Sequence, residues 1–290
     1  MSNPRETTHV FNQYRQLLFS IAYRMLGSVT DAEDIVQEAF LRWMQGNTEE
    51  VQSPKSYLSA VVTRLCIDQL RSARVQREVY VGPWLPEPIS TNLSQMGNDP
   101  AILGESLSYA FLVLLEKLGP LERAVFLLHE VFEYEYADIA QIVERSESNC
   151  RQILHRAHEH LEQPRPRFAV SYESQERLTD QFLQASTSGN MQGLLNLLAE
   201  DITFTGDSGG KMRVAYNVRG RNNVVRGTQA GWRSLPPLLV YRIQEVNRQP
   251  AIVAYKDGLV YGAMLFEIEG EQIKNIYLVA NPDKLHGISL

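Results

Sequence analysis

ADIAQIVERSESNCRQILHRAHEHL, residues 137–161, reads as two helical patterns on either side of a polar turn. In a short helix from Tyr136 to Val143, Ile139, Ala140 and Val143 share one face. In a longer one from Ser148 to Leu161, Cys150, Ile153, Leu154, Ala157 and Leu161 recur at spacings of three and four. Glu144 to Glu147 holds no apolar residue, so the two helices meet at a tight polar turn. That is helix-turn-helix organisation, whose second helix can enter the DNA major groove. Its outer face begins with Asn149, Arg151, Gln152, His155 and Arg156. Arginine binds guanine through two hydrogen bonds, and Asn or Gln binds adenine in the same way. Many αα-hairpins bind no DNA, however, and residues 101–165 carry 6 basic against 11 acidic groups. The motif alone leaves both readings open.

Working outward, Leu107 to Leu118 and Leu121 to Val131 are helical, broken at Gly119-Pro120. Nearer the N-terminus three more helices follow one another. Phe11, Tyr14, Leu18, Ile21, Ala22 and Met25 make the apolar face of the first, which ends at Gly27-Ser28. Thr30 with Glu33 predicts a capping-box start for the second, buried through Ile35, Val36, Ala39, Phe40 and Trp43. Ser53-Pro54 opens the third, with Leu58, Val61, Val62 and Leu65 facing inward. The second helix presents Asp34, Gln37, Glu38 and Arg42 on its polar side, a pattern that also suits a solvated face. The third carries Arg64, Asp68, Arg71 and Arg74 along one side, placed to neutralise phosphates.

Between the helical blocks, residues 78–104 are rich in proline and glycine, which excludes a regular helix. Trp84 stands among these breakers, and an indole there predicts a linker pinned onto a neighbouring domain. PRPRF after Gln163 marks a second linker. Residues 175–199 read as helix and 201–280 mostly as β-strands, with hairpin turns at Asp257-Gly258 and Glu269-Gly270. Helix first and antiparallel sheet after predicts an α+β domain with a cone-shaped interior.

Composition sets the outer limits. The chain has 290 residues, 44% hydrophobic and 21% charged, as expected for globular domains. No apolar run approaches the roughly 18 residues of a membrane span, and the N-terminus lacks the apolar core of a secretory signal. Cys66 and Cys150 cannot make a disulfide framework, so a reducing, cytoplasmic setting is expected and no membrane partner. The formal net charge of −6 speaks against nucleic acid only at the scale of the whole chain. From Lys55 to Arg77 five basic residues face Asp68 alone, a local +4, and charge acts only within a Debye length of about 8 Å.

VTDAEDIVQEAFLRW (29–43), SPKSYLSAVVTRLCIDQLRSARVQRE (53–78) and the helix-turn-helix, in this order, resemble a bacterial RNA polymerase sigma factor of the extracytoplasmic-function class. WLPEP at Trp84 to Pro88, TFTGDSGGK at Thr203 to Lys211 and NPDKL at Asn281 to Leu285 are similar to the sigma-J-type group, whose members carry a fused SnoaL-like domain. The glycine-rich element of that group often reads DGGGK. Here Ser208 follows Asp207, so Gly209 and Gly210 carry over most firmly.

The resemblance implies two all-α sigma domains and a C-terminal α+β SnoaL-like domain with a conical sheet. Region 2 (9–77) would be followed by the linker (78–104), then region 4 (105–163), then the SnoaL-like domain (172–290). It implies that Asp34, Gln37, Glu38 and Arg42 dock on the clamp helices of the polymerase β′ subunit, with the β flap as a further contact. Arg64, Asp68, Arg71 and Arg74 would lie along the −10 element, with a captured base at the Gln45–Ser53 loop. Asn149, Arg151, Gln152, His155 and Arg156 would read or position −35 DNA. Trp84, Leu85, Pro86, Asp207, Gly209, Gly210, Asn281, Pro282, Asp283 and Lys284 would form an interdomain, regulatory contact in place of a separate anti-sigma factor. Polymerase supplies much of the DNA affinity in such a system, so an acidic sigma subunit is compatible with promoter specificity.

In the third block no nucleophile–base pair, metal spacing or cofactor loop is visible, so no catalytic residue, metal or cofactor is expected. Asp201 and Asp207 are the candidate bases if a cyclase- or isomerase-type activity exists. Trp232, Tyr241, Tyr255 and Tyr277 are either core or the walls of a small-ligand pocket. Two rival readings remain: a ligand-sensing helix-turn-helix regulator that binds operators without polymerase, and a SnoaL-like cyclase or isomerase fused to a DNA-binding module.

Overall fold

The computed structural model describes residues 4–46, 51–77, 80–90, 108–161 and 170–289. Much of the 78–104 linker, the PRPRF segment and part of the Gln45–Ser53 loop lie outside the described residues. The chain packs as two compact units. The first takes residues 1–78, 93–107 and 111–162; the second takes 79–92, 108–110 and 163–290.

In the first unit, α1 (Pro4–Leu26), α2 (Val29–Gln45) and α3 (Pro54–Arg77) pack on one another as a helical core. Phe11, Leu18, Ile21, Ala39, Trp43, Leu58 and Val62 are buried in it. The start of α2 differs from the capping box expected at Thr30. Ser28 is the cap, its Oγ accepting the Asp31 amide at 3.2 Å. Gly27, at φ +66°, has already turned the chain, so the helix is capped two residues earlier than the Thr30–Glu33 spacing suggests. On α3 the buried stripe continues through Cys66, Ile67 and Leu70, while Val61 and Leu65 are only partly covered.

The same unit contains α4 (Tyr109–Leu115) from Phe111 onward, α5 (Pro120–Glu130), α6 (Tyr136–Val143) and α7 (Glu147–Leu161). Gly119 caps α5 with proline at its first position, and Glu122 closes the box by accepting the Gly119 amide at 3.0 Å. Polar groups join this set of helices to the first three. Arg123, almost fully buried, donates to the Met25 carbonyl at 2.7 Å and to Glu116 Oε1 at 2.6 Å. The Ser59 and Tyr134 hydroxyls are 2.8 Å apart in a buried hydrogen bond. Arg24 lies under the Phe132 ring, and burial holds its guanidinium down at about 10.

The second unit is a six-stranded sheet with helices on one face. After α8 (Tyr172–Thr187) and α9 (Met191–Leu197) come β1 (Leu198–Asp207), β2 (Asn217–Arg219), α10 (Arg221–Ser234), β3 (Val240–Val246), β4 (Gln249–Lys256), β5 (Leu259–Glu269) and β6 (Gln272–Val279). A 3-10 turn, Pro282–Lys284, follows. The strand order is β2-β1-β6-β5-β4-β3, all antiparallel except β1 with β6. Asp257-Gly258 turns with positive φ at both residues, as its sequence demands.

Two expectations are corrected here. The single helix over 175–199 is two, because Gly189 adopts φ +72° and Asn190 caps α9 by accepting the Gly193 amide at 2.9 Å. Helix α10 replaces strand in the middle of 201–280. Gly227 and Gly231 lower its intrinsic propensity, and burial of Val224 and Val225 against the sheet core compensates.

Candidate nucleic-acid interface

On α2, Asp34, Gln37 and Arg42 are exposed and Glu38 is partly covered. Arg42 Nε donates to Glu38 Oε1 at 2.8 Å, an i, i+4 pair on an open face. Leu41, Met44 and, at the start of α3, Tyr57 are also exposed. This end of the helix pair is thus a mixed charged and apolar surface.

On α3 the four residues divide. Asp68 and Arg71 are exposed and pair at 3.3 Å. Arg74's side chain lies outside the described residues. Arg64 is turned onto α6. Its Nε donates to the Ile142 carbonyl and Nη2 to the Gln141 carbonyl, both at 2.8 Å, and Nη1 is 3.1 Å from Glu144 Oε1. Those carbonyls are at the C-terminus of α6, where the intrahelical donors run out and the dipole favours a cation. Glu144 caps that helix in the left-handed region at φ +55°. A guanidinium expected along the −10 strand therefore caps the first helix of the helix-turn-helix. Nothing in the sequence could have announced this, because the acceptors are main-chain carbonyls 77 and 78 residues away.

On α7, Arg151, Gln152, His155 and Arg156 are exposed and Asn149 is half-buried, while Cys150, Ile153, Leu154, Ala157 and Leu161 face the core. Arg151 is held from two sides, by Glu147 Oε2 at 3.2 Å and by the Tyr136 ring at 4.4 Å from its centroid. Ser146 accepts the Asn149 amide at 3.2 Å and orders the first turn. The face is single-sided and continuous, as groove entry requires.

In the second unit the sequence elements 80–90, 207–211 and 281–285 converge on Asp207, whose side chain is 0% exposed. Asp207 Oδ2 accepts Lys284 Nζ at 2.7 Å and the Leu85 amide at 2.8 Å. Oδ1 accepts the Tyr80 hydroxyl at 2.5 Å and the Gly209 amide at 3.1 Å. Lys284, 6% exposed, also donates to the Leu85 carbonyl at 2.7 Å. Its ammonium sits 4.0 Å from the Trp84 ring centroid and 4.9 Å from that of Tyr80. Burial first, and then the Asp207 carboxylate, push the Tyr80 phenol above its ordinary range. Asn281 donates to the Tyr80 hydroxyl at 2.9 Å and caps the 3-10 turn through the Asp283 amide. Pro282 is the first residue of that turn, and Asp283 pairs with Lys211 at 2.5 Å.

Glycine is required where the two loops touch. A Cβ on Gly209, at φ +56°, would lie 2.7 Å from Asn281 Nδ2. A Cβ on Gly210, at φ +75°, would lie 3.1 Å from Val81 Cγ1. Pro86, within the same segment, is buried and its carbonyl accepts the Tyr109 hydroxyl at 2.6 Å. The segment then continues as an added edge: Ile89 and Asn247 exchange bonds at 2.9 and 3.0 Å, and Ser90 bonds to Gly287 and Ser289. Tyr80, Ser90, Tyr109, Asn247 and Gln249 are the members of this constellation that the sequence reading did not single out.

The candidate bases are both occupied. Asp207 has four donors, and Asp201 pairs at the surface with Lys274 at 2.7 Å, which lowers the Asp201 carboxyl. Phe182, Leu194, Ile202, Ile252, Phe266 and Ile276 are buried together in the hydrophobic core of this unit. Tyr255 and Tyr277 are buried, Tyr277 against Tyr109 at 5.6 Å, whereas Tyr241 and Trp232 pack on each other at 4.7 Å and are both partly exposed. A polar hollow of about 730 Å³ lies instead between α9 and the start of α10, lined by Asn196, Glu200, Arg221 and Arg226 among others. Among the described residues no group of three His, Cys, Asp or Glu side chains is placed to hold a metal, and no helix is long and apolar enough to cross a membrane.

Comparison with known proteins follows the same division. Residues 10–75 match the Sigma-70 region 2 family and residues 108–161 the Sigma-70 region 4 family. Over 294 residues the chain is 36% identical to the ECF RNA polymerase sigma factor SigJ of Mycobacterium tuberculosis, covering 97% of this chain and 93% of that protein. It is 31% identical over 292 residues to the probable ECF RNA polymerase sigma factor SigI of the same species, covering 98% and 97%. The crystal structure of the Mycobacterium tuberculosis extracytoplasmic function sigma factor SigJ superposes with a TM-score of 0.74 at 30% identity, covering 97% of this chain and 98% of that one.

Proposed function

Because this chain belongs to the extracytoplasmic-function RNA polymerase sigma factors, we propose that it binds core RNA polymerase and directs it to a subset of promoters, under the control of its own C-terminal domain. The observation that carries the reading is the order of two sigma regions within a whole-chain match to SigJ. The chain is a specificity subunit, and the polymerase does the chemistry. Core polymerase and promoter DNA are its partners.

The faces already described supply the finer roles. The α2 surface around Asp34, Gln37, Glu38 and Arg42 is the polymerase contact. Its neighbours Leu41, Met44 and Tyr57 add the apolar area that an exposed charged face lacks. Asp68, Arg71 and Arg74 on α3 track the −10 strand, joined by Arg64 once it leaves α6. Arg151, Gln152, His155, Arg156 and Asn149 on α7 face the −35 element. The first unit supports a resting state in which the −10 strip and the helix-turn-helix hold each other, since Arg64 cannot serve α6 and a phosphate together. The Asp207–Lys284 constellation is the regulatory contact: it fixes the Trp84 segment to the sheet domain through a buried charge pair. Release of Arg64 from α6 is then a population shift within the first unit, driven by whatever binds the released form better.

Run-off transcription tests this directly. Core polymerase with the full chain gives a transcript from a promoter that core alone ignores, and Trp84→Ala or Asp207→Asn changes its yield. No template-specific transcript across a genomic promoter library overturns the sigma reading. An unchanged yield in both variants overturns the regulatory one.

A further inference from the structure

The sheet domain grips the chain that joins the two helical blocks at two separate places. The first grip runs from Tyr80 to Ser90 through the contacts above. The second is Tyr109, the opening residue of α4, which is completely buried. Its hydroxyl donates to the Pro86 carbonyl at 2.6 Å, and its amide donates to Gln249 Oε1 at 3.3 Å. Gln249 is itself oriented by donating Nε2 to the Phe266 carbonyl at 2.9 Å. The Tyr109 ring packs on Tyr277, whose own hydroxyl is fixed on Glu267 at 3.0 Å. The start of α4 is thus bonded to the middle of the docked segment, so the bonded path from Pro86 to Tyr109 is far shorter than the covalent path of 23 residues between them.

We propose that the C-terminal domain is a clamp that shortens the working linker, and so limits the −10 to −35 spacing the chain can span. This rests on the sigma-factor reading above. Magnitudes decide between slack and taut. At about 3.3 Å per residue the chain from Arg77 to Tyr109 can extend roughly 105 Å. From Arg77 to Pro86 it extends only about 30 Å, plus the length of one tyrosine side chain. The −10 and −35 elements lie about 25 base pairs apart, roughly 85 Å of duplex at 3.4 Å per step. A released linker is slack on that span, whereas a clamped one needs both helical blocks turned outward to reach it. Pro83 and Pro86 stiffen the short path further.

The test uses the full chain with core polymerase and templates whose −10 to −35 spacing is varied. A transcript from wild type at the parent spacing comes first; its absence at every spacing overturns the sigma reading itself. An insertion of about six Gly and Ser residues between Glu78 and Val79 then adds roughly 20 Å to the clamped path. The same insertion after Gly97 adds length only to the bypassed path. The first insertion is expected to raise transcription from templates lengthened by about two base pairs, and the second to leave the wild-type profile. Tyr109→Phe with Gln249→Leu widens the profile as well, by about tenfold at the long spacings, the scale of one or two lost hydrogen bonds. Equal shifts from the two insertions, or no shift from either, overturn the clamp, and the insertion pair decides even if the double variant misfolds.

Discussion

Lys284 Nζ lies 2.7 Å from Asp207 Oδ2 with both side chains withdrawn from water. Such a pair is expensive to desolvate, and its worth depends on every remaining lone pair and proton having a partner. Here they do: Asp207 has three further donors, and Lys284 has a carbonyl and two aromatic faces. Removing one partner strands the other. Asp207→Asn and Lys284→Met are each expected to cost about 3–5 kcal/mol in urea unfolding of the full chain. The double variant is expected to cost less than the sum, because no charge is left unpaired. Additive losses would mean that the two side chains act independently.

In the proposed reading, Arg64 is claimed both by α6, which holds it here, and by the −10 phosphates. Its pairing with Glu144 is weak, since the two side chains are 46% and 70% exposed, and Glu144→Gln should cost no more than about 1 kcal/mol. The two bonds to the Gln141 and Ile142 carbonyls need the planar fork of a guanidinium. Arg64→Lys is therefore expected to loosen the first unit while keeping a positive charge for DNA. The outcome to look for is a larger fraction of open chains by single-molecule energy transfer between α3 and α7, with promoter binding in the holoenzyme reduced less than in Arg64→Ala. Equal distance distributions in wild type and Arg64→Lys would remove the latch.

On α7, Arg151 is preorganised by Glu147 and the Tyr136 ring. An arginine held this way gives up little side-chain entropy on meeting a guanine edge. Arg151→Ala and Gln152→Ala are each expected to cost about 1–3 kcal/mol of discrimination at one −35 base pair. Arg156→Ala, if it meets a phosphate, should weaken all sequences alike and lower the salt dependence of holoenzyme binding. Binding assays with a panel of −35 variants at two salt concentrations separate these outcomes.

What could be read in the sequence followed periodicity. The helix-turn-helix was legible because Cys150, Ile153, Leu154, Ala157 and Leu161 repeat at helical spacing around a polar turn, and the structure buries all five. Helix α10 was hidden because Gly227 and Gly231 interrupt its pattern, and only the tertiary contact of Val224 and Val225 sustains it. Trp84 was marked by its place among linker prolines and Asp207 and Lys284 by resemblance; their mutual geometry was not, nor was the role of Tyr80 or Tyr109. Contacts to main-chain atoms, such as Arg64 on α6 or Tyr109 on Pro86, leave no trace in side-chain pattern. They arise only when distant segments have been folded together.

The Tyr80 hydroxyl offers a pH handle on the Asp207 constellation. Burial and the Asp207 carboxylate raise the phenol above its ordinary value of 10.0, so the folded chain keeps a proton that the unfolded chain gives up. A group shifted in this direction stabilises fully below pH 10, and that contribution is lost as pH rises through the folded value. Tyr80→Phe removes it. Two hydrogen bonds, to Asp207 and from Asn281, disappear as well, so the variant starts about 1–3 kcal/mol less stable at pH 8. Above pH 10 its stability should then fall less steeply than wild type, by up to about one proton in the slope. Tyr241, Tyr255 and Tyr277 are also raised by burial, and they cancel because both proteins carry them. Urea unfolding at several pH values between 8 and 11 measures the difference. Parallel curves would show that the Tyr80 proton is not what couples the docked segment to pH.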